Sequence, residues 1–524
     1  MKVLKTANIS LNYALVSVYD KTDIIDLVKS LVNNNFQIIS TGGTAKVLKK
    51  AKIKVIPIEK ITDNPEAFDG RMKTISFQVE SGILYDRKNK DHLRQAKELK
   101  IPDIQIVVCN FYPFQEIARD KKAQIEKLVE LIDVGGPTMV RAAAKNYKSV
   151  AVLTDPSDYP LVIPEFKKRK NVSLKTREYL AVKAFKLTAD YDSLVHEKLS
   201  AKLLGEKNLR LFLNNGLKLR YGENPHQKGF FYQTATDDPL AISNFKQLQG
   251  KELSFNNLLD CHAAINTICE VATQKPACII IKHGNPCGTA IADSSYNAFL
   301  KAWDSDSLAA FGSIIVLNKV IDKKLAQLMI KGNRFFEVLL APSLTPEAKK
   351  ILAQKRNLRI LTNPSLQNLF LSKEKDYKKV RGGFLVQDAD TAVLEKKDLK
   401  TVTRAKPTKK KIKELLFAWS VCRSCKSNSI VITKGQQLIG AGVGQQDRMR
   451  CCRLSASKAG KKAENASAAS DAFFPFPDGP EILIKAGVRA IIQPGGSVND
   501  QKIIDLCDKN KVVMVFTNTR CFKH

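Results

Sequence analysis

No apolar run in the 524-residue sequence approaches the roughly 20 residues needed to cross a bilayer, so a membrane-spanning segment is not expected. The opening residues, MKVLKTANISLNY, lack a continuous apolar stretch and a small-residue cleavage site, which argues against secretion and makes the cytoplasm the expected compartment. A disulfide framework is missing too, because the eleven cysteines are odd in number and irregularly spaced, as reduced thiols are. Cys422 and Cys425, followed by the adjacent Cys451 and Cys452, raise the question of zinc. The second pair has no intervening residues, however, and FAWSVCRSCK reads as a helix with its cysteines on the packed side, so no metal is expected. Internal repeats, low-complexity segments and basic tails are also lacking.

What the sequence does have is length enough for two or more hydrophobic cores, with an ordinary 44% of hydrophobic residues and 7% of aromatics. Its 85 basic residues against 52 acidic ones give a net charge of +33, which raises nucleic-acid binding as an alternative. The charge is spread in small groups, such as Lys167 to Lys170 and Lys409 to Lys411, with no recognisable reader motif. The same positive field attracts phosphorylated or polyglutamylated small substrates, so nucleic acid is not the expected partner.

The first hundred residues alternate between apolar runs and amphipathic stretches. Tyr13 to Val18 reads as a strand, Ile24 to Val32 has helical spacing, and Phe36 to Ile39, Lys54 to Ile58 and Ile104 to Cys109 read as further strands. This alternation predicts an α/β domain with a parallel sheet. Ligands bind at the carboxyl ends of such strands, where the polar loops Ser17 to Thr22, Ser40 to Thr44 and Asn110 to Phe114 fall. A polar, lysine-bearing stretch from Lys202 to Leu219 places a boundary near residue 200, giving domains 1–199 and 200–524. The second also reads as α/β, with strands Ala277 to Lys282, Ile314 to Leu317, Ala490 to Gln493 and Val512 to Phe516.

Within the first domain, STGGT (Ser40, Thr41, Gly42, Gly43, Thr44) follows a strand and opens a helix, as an anion-binding loop or a plain tight turn does. GRMKT sets Arg71 and Lys73 beside a turn glycine. IDVGGPTMVRAAAKN opens a small-residue helix on a glycine pair and spaces Arg141 and Lys145 one turn apart. With Asp133 and Tyr112 these residues supply acid, base and cation for a phosphorylated substrate, although Tyr112 also suits a half-buried core position and Asp133 a helix cap. In the second domain His283 ends an apolar strand beside Lys282, where it serves as a neutral base or as a structural histidine, and Asn428 in KSNSIV suits an oxyanion donor.

Together these segments resemble the family that joins an aminoimidazole carboxamide ribotide (AICAR) transformylase to an inosine monophosphate (IMP) cyclohydrolase. The resemblance runs nearly end to end, through STGGT, FDGRMKT, CNFYPF, DVGGPTMVRAAAKN, LRYGENPHQ, KELSFNNLLD, KHGNPCG, SLAAFG, KSNSIV, SDAFFPFPDG and IIQPGGSVND. It implies a methylglyoxal-synthase-like parallel-sheet domain, then a transformylase of two cytidine-deaminase-like α/β subdomains, and an intertwined homodimer. The implied substrates are AICAR, its formylated product FAICAR and IMP, with 10-formyltetrahydrofolate as cosubstrate. The implied catalytic residues are Lys282, His283 and Asn428 for formyl transfer, and Lys73, Tyr112, Asp133 and Lys145 for ring closure. Substrate contacts are implied for Ser17, Lys21, Ser40, Thr41, Gly42, Gly43, Thr44, Arg71, Thr74 and Arg141. In the second domain they are implied for Arg220, Tyr221, Phe311, Gly312, Glu337, Gln445, Arg448, Phe473, Asp478 and Arg520.

The sequence also departs from the family pattern. Ile75, Ser76, Phe77 and Glu80 stand where the family continues with Leu-His-Pro and a second histidine, and Leu187 replaces another histidine. Gly284 replaces a threonine, Asp447 a serine, and Cys521 a larger residue. The expectation is a bifunctional enzyme of purine synthesis. The alternatives are a transformylase with an impaired cyclohydrolase half and a basic nucleic-acid-binding protein.

Overall fold

The computed structural model describes residues 12–524 except 66, 69, 70, 119, 121, 170, 235 and 272. The first eleven residues, Gly70 of GRMKT and Lys170 of the first basic group therefore lie outside the described residues. The chain divides into two units, Met1–Leu211 and Phe212–His524.

Among the described residues of the first unit, five parallel strands form one sheet: β1 (Asn12–Val18), β2 (Phe36–Ser40), β3 (Val55–Pro57), β4 (Asp103–Asn110) and β5 (Ala151–Leu153), in the order β3-β2-β1-β4-β5. The central strands are continuous apolar runs because helices cover both faces. One of them, Ile24–Asn33, buries Ile24, Leu27, Val28 and Leu31, the stripe that its spacing predicts. The chain winds outward from β1 in one direction and resumes at β4 on the other side, so the sheet's switch point lies between β1 and β4.

The last long helix of the first unit is Leu174–Leu199, followed by a short π-helical turn, Ser200–Leu204. The expected boundary near 200 falls at the end of the long helix, whereas the units divide after Leu211. The intervening residues fold back through hydrogen bonds from Glu206 N–H to Ser200 O (3.2 Å), Asn208 Nδ2 to Ser200 Oγ (3.1 Å) and Arg210 Nη1 to Ser193 Oγ (3.2 Å).

The second unit opens with an antiparallel pair, β6 (Asn214–Lys218) and β7 (Phe230–Gln233). Its main sheet, twelve strands among the described residues, is built from β8 (Lys246–Gln249), β9 (Ala277–Lys282), β10 (Asn285–Ile291), β11 (Ser313–Leu317), β12 (Phe336–Ala341) and β13 (Arg359–Thr362). A hairpin, β14 (Asp376–Val380) with β15 (Gly383–Gln387), forms a separate pair. The main sheet then takes β16 (Lys400–Thr401), β17 (Ser429–Lys434), β18 (Gln437–Val443), β19 (Ser467–Ser470), β20 (Ala490–Gln493) and β21 (Val513–Phe516).

The order β16-β21-β20-β19-β17-β18-β10-β9-β11-β12-β13-β8 is a repeat about the β18–β10 seam. In each half a hairpin (β9/β10, β17/β18) pairs antiparallel with the next strand, two parallel steps follow, and a short antiparallel strand closes the edge. The sequence shows no repeat because burial constrains apolar character at these positions rather than residue identity. One trace survives in β10 and β18, where a Cβ at Gly288 would lie 2.1 Å from Ala302 O and one at Gly440 2.2 Å from Ser455 O. Each strand thus needs glycine beneath the helix that follows it.

Two candidate active sites

In the first unit a cavity of about 730 Å³ opens at the switch point. Its lining brings together Ser17, Lys21, Thr41, Gly43, Thr44, Arg71, Lys73, Thr74, Tyr112 and Asp133 from five separate segments. Ser17 Oγ lies 3.1 Å from Thr41 Oγ1, and Thr44 Oγ1 both accepts from Val18 N–H (3.1 Å) and donates to Val18 O (2.9 Å), which fastens the STGGT loop to the end of β1. Ser40 is buried and donates to Val16 O, so its role here is to hold the strand ends together. Thr41 stands at the start of the helix Gly42–Lys50 without a side-chain capping bond, and Lys73 closes over that end: a Cβ at Gly42 would stand 2.7 Å from Lys73 Nζ. Helix-end N–H groups, hydroxyls and the Lys73 and Lys21 ammonium groups thus share one cavity, a set of donors and cations of the kind that anions favour.

The glycine pair of DVGGP explains how an acid enters the same cavity. A Cβ at Gly135 would meet Thr74 Oγ1 at 2.5 Å, and one at Gly136 would meet Asp133 Oδ2 at 2.6 Å, so both polar groups pack directly against the helix Gly135–Lys145. Asp133 accepts the Gly136 N–H at 2.8 Å, as a helix cap does, while also facing the cavity. Burial pushes its carboxyl above the ordinary range, opposed by N–H bonds from Gly136 and Tyr112. Tyr112 is half exposed and stands edge-on to Tyr19, with ring centroids 5.7 Å apart.

Arg141 and Lys145 project from the exposed side of their helix and are not part of this lining; the Arg141 guanidinium lies over the Phe185 ring at 5.8 Å. The altered residues Ser76, Phe77, Glu80 and Leu187 also stand outside the lining. Ser76 caps the helix Phe77–Leu84 by accepting from Val79 N–H. Glu80 Oε1 is buried without a hydrogen-bond partner among the described residues, and burial pushes its carboxyl up to about 7.

In the second unit His283 and Gly284 form the two-residue turn between β9 and β10. Both have positive φ, +51° and +73°, the pattern of a hairpin turn whose twist matches the strands. The second position favours glycine, which accounts for Gly284 where the family has threonine. Lys282 Nζ donates to Phe311 O (3.1 Å) and Gly312 O (2.8 Å), tying the strand end to the SLAAFG loop. Asn285 Oδ1 accepts from Lys426 N–H at 2.9 Å, a link across the seam that brings the His283 turn beside the KSNSIV segment, 141 residues away in sequence.

Asn428 is heavily engaged. Its Nδ2 donates to Gln445 O (2.9 Å) and Gln446 O (3.1 Å), and its Oδ1 accepts from Arg448 Nη2 (2.7 Å). Arg448, itself buried, also bonds Ser470 Oγ and pairs with the buried Asp471. Asp447 caps the next helix by accepting from Arg450 N–H at 2.7 Å and pairs with the Arg450 side chain.

His283 borders a cavity of about 810 Å³ that also takes in Asp260, His262, Glu270, Arg423, Lys426, Cys521 and Lys523. The other expected contacts lie outside this lining. Arg220 stacks on Tyr221 and donates to its hydroxyl at 2.6 Å, while Glu337 accepts from Asn257 Nδ2 (2.9 Å) and pairs with Arg359 (3.7 Å). Phe311 and Phe473 are exposed, with Phe311 packed 5.2 Å from Phe335. Asp478 begins the helix Asp478–Lys485, and Arg520 stacks on Phe522. Sequence reading missed Asp260, Asn285 and Asp471, whose importance comes from contacts rather than spacing. Cys422 and Cys425 are fully buried, and among the described residues no group of three or more His, Cys, Asp or Glu side chains is placed to hold a metal ion.

The fold and sites define an α/β enzyme with two separate centres, one an acid-bearing anion cavity at a parallel-sheet switch point and the other a histidine hairpin in a duplicated sheet. A family model described as an MGS-like domain matches residues 23–138, and one described as the AICARFT/IMPCHase bienzyme matches residues 143–458. Relatives named bifunctional purine biosynthesis protein PurH include that of Acetivibrio thermocellus, 45% identical, with 98% of this chain and 99% of the relative covered. Those of a Thermoanaerobacter species and of Ruminiclostridium cellulolyticum are 46% and 43% identical over the same shares. The chain therefore belongs to the AICARFT/IMPCHase bienzyme family, the bifunctional transformylase and cyclohydrolase of purine biosynthesis. As a family property these enzymes use 10-formyltetrahydrofolate as cosubstrate.

Proposed function

We propose that residues 200–524 transfer the formyl group of 10-formyltetrahydrofolate to the amine of AICAR, and that residues 1–199 close the resulting FAICAR to IMP. In formyl transfer the amine nitrogen bonds to the formyl carbon as its proton passes to the His283 imidazole. The carbon–nitrogen bond to the folate then breaks, with a proton delivered to the departing folate nitrogen from the Lys282 side. Asn428, held in place by the buried Arg448, is the donor to the tetrahedral oxyanion. It reaches that oxygen only by releasing the Gln445 or Gln446 carbonyl. The observation that carries this half is the placement of His283 on a tethered turn at a cavity wall.

In ring closure the carboxamide nitrogen attacks the formyl carbon and water is lost, so much of the work is holding the substrate folded. Lys73 with the STGGT loop binds the phosphate end, and Asp133 and Tyr112 move protons at the closing ring. Lys145, outside the lining, remains a candidate on the family resemblance alone. The altered residues Ser76, Phe77, Glu80 and Leu187 also stand outside it, which supports an active rather than an impaired cyclohydrolase. Arg220, Tyr221, Glu337 and Phe473 do not meet at the His283 cavity, and this supports a homodimer whose transformylase sites draw on both copies. The soluble biosynthetic character of the family supports the cytoplasm as compartment.

The test separates the two reactions, supplying AICAR with 10-formyltetrahydrofolate in one assay and FAICAR alone in the other. His283→Ala is expected to lose formyl transfer by about 1,000-fold and spare ring closure, and Lys73→Ala to do the reverse. Full formyl transfer by His283→Ala overturns the assignment. Absence of ring closure in the unmodified protein establishes the impaired reading instead.

A further inference from the structure

The turn that presents His283 is an unfavourable conformation held from outside. A left-handed backbone at a residue with a Cβ costs roughly 1 kcal/mol or more, and such residues persist where their surroundings over-determine them. Asp260, on the helix Phe255–Val271, accepts the Gly284 N–H at 2.7 Å. Asn285 adds to the hold, its Nδ2 donating to His283 O at 3.1 Å while its Oδ1 takes the Lys426 N–H. Asp260 lines the same cavity as His283; partial burial raises its carboxyl above the ordinary range, opposed by the Gly284 N–H and by the positive side chains of the hairpin it holds. In the second half of the sheet the corresponding turn between β17 and β18, Gly435 and Gln436, presents no histidine.

We infer that Asp260 is a positioning residue for formyl transfer, fixing the left-handed turn so that the imidazole meets the ribotide amine and stabilising the imidazolium formed when the ring accepts the amine proton. The inference rests on His283 being the base. Asp260 touches no reacting atom. It acts through backbone geometry and through its charge, as a buried carboxylate behind a catalytic histidine does.

Asp260→Asn in the full-length chain keeps an acceptor oxygen and removes the charge. It is expected to lower kcat for formyl transfer about 30-fold with KM for both substrates within about twofold, while ring closure by the first unit stays unchanged. Introduced into His283→Ala, the same substitution is expected to cause no further loss, because its effect passes through the imidazole. A fully active Asp260→Asn, or a loss that multiplies with that of His283→Ala, overturns the inference. Full activity of His283→Ala by itself instead overturns the reading on which the inference rests. If thermal unfolding shows that Asp260→Asn does not fold, Asp260→Ser, which keeps a neutral acceptor, takes its place with the same expected outcomes.

Discussion

The two centres are assembled in different ways. The first-unit cavity gathers the STGGT loop, Asp133 and Lys73 beside one parallel sheet, and its polar groups already bond to the elements that place them. The second-unit residues are spread over two halves of a duplicated sheet, with His283 on a hairpin of one half and Asn428 and Arg448 in the other. A switch point concentrates chemistry by topology alone, whereas a duplicated sheet must bring its parts together through loops and seams. The first arrangement depends on close packing and the second on held turns.

Packing at the glycine pair is the sharpest way to break the first arrangement. Because a methyl at Gly136 would stand 2.6 Å from Asp133 Oδ2, Gly136→Ala is expected to displace that carboxylate and lower kcat/KM for ring closure by about 100-fold, leaving formyl transfer unchanged. Separate assays of the two reactions check it. A similar loss in both would mean that the substitution unfolds the chain rather than the site.

The second arrangement is broken at the turn. Gly284→Thr restores the family residue at a φ of +73° and is expected to cost about 1 to 2 kcal/mol. A thermal midpoint for the second unit lowered by a few degrees, with a slower formyl transfer, would show that the turn is held under strain. An unchanged midpoint would show that Asp260 and Asn285 hold threonine equally well.

The smallest effect concerns Glu80, whose carboxyl burial raises from 4.5 to about 7. Since the folded-state value lies above the unfolded one, the protonated acid contributes stability that is complete below 4.5 and lost as pH rises through about 7. Glu80→Gln removes this loss. The variant is expected to exceed the parent by about 1 kcal/mol near pH 8, an amount discounted for partial solvent screening, and to match it near pH 4. Urea unfolding at the two pH values measures the difference, and an equal stability at both would place Glu80 in solvent.

Much of the first site was legible because its residues lie in short motifs at strand ends. Lys73, Tyr112 and Asp133 were readable from GRMKT, CNFYPF and DVGGP, and all three meet in one cavity. Arg141 and Lys145 share that helix face but point away from the cavity, because one-turn spacing sets two side chains on a common side without saying which side faces the ligand. Asp260 was invisible in KELSFNNLLD, since a lone carboxylate on an amphipathic helix carries no signal until its backbone partners are known. The duplicated sheet was equally hidden, its halves sharing a pattern of burial but no run of residues.

Sequence alone determined the α/β class, four of the five strands of the first sheet and the types of group able to do acid, base and anion chemistry, because periodicity and strand-end motifs are local properties of the chain. Tertiary structure decided which groups meet. It set Asp133 and Thr74 against a glycine pair, gave His283 its left-handed turn under Asp260, and joined the two sheet halves through Asn285 and Lys426. Those outcomes depend on packing distances and hydrogen bonds between segments far apart in the chain, which residue order does not encode one position at a time.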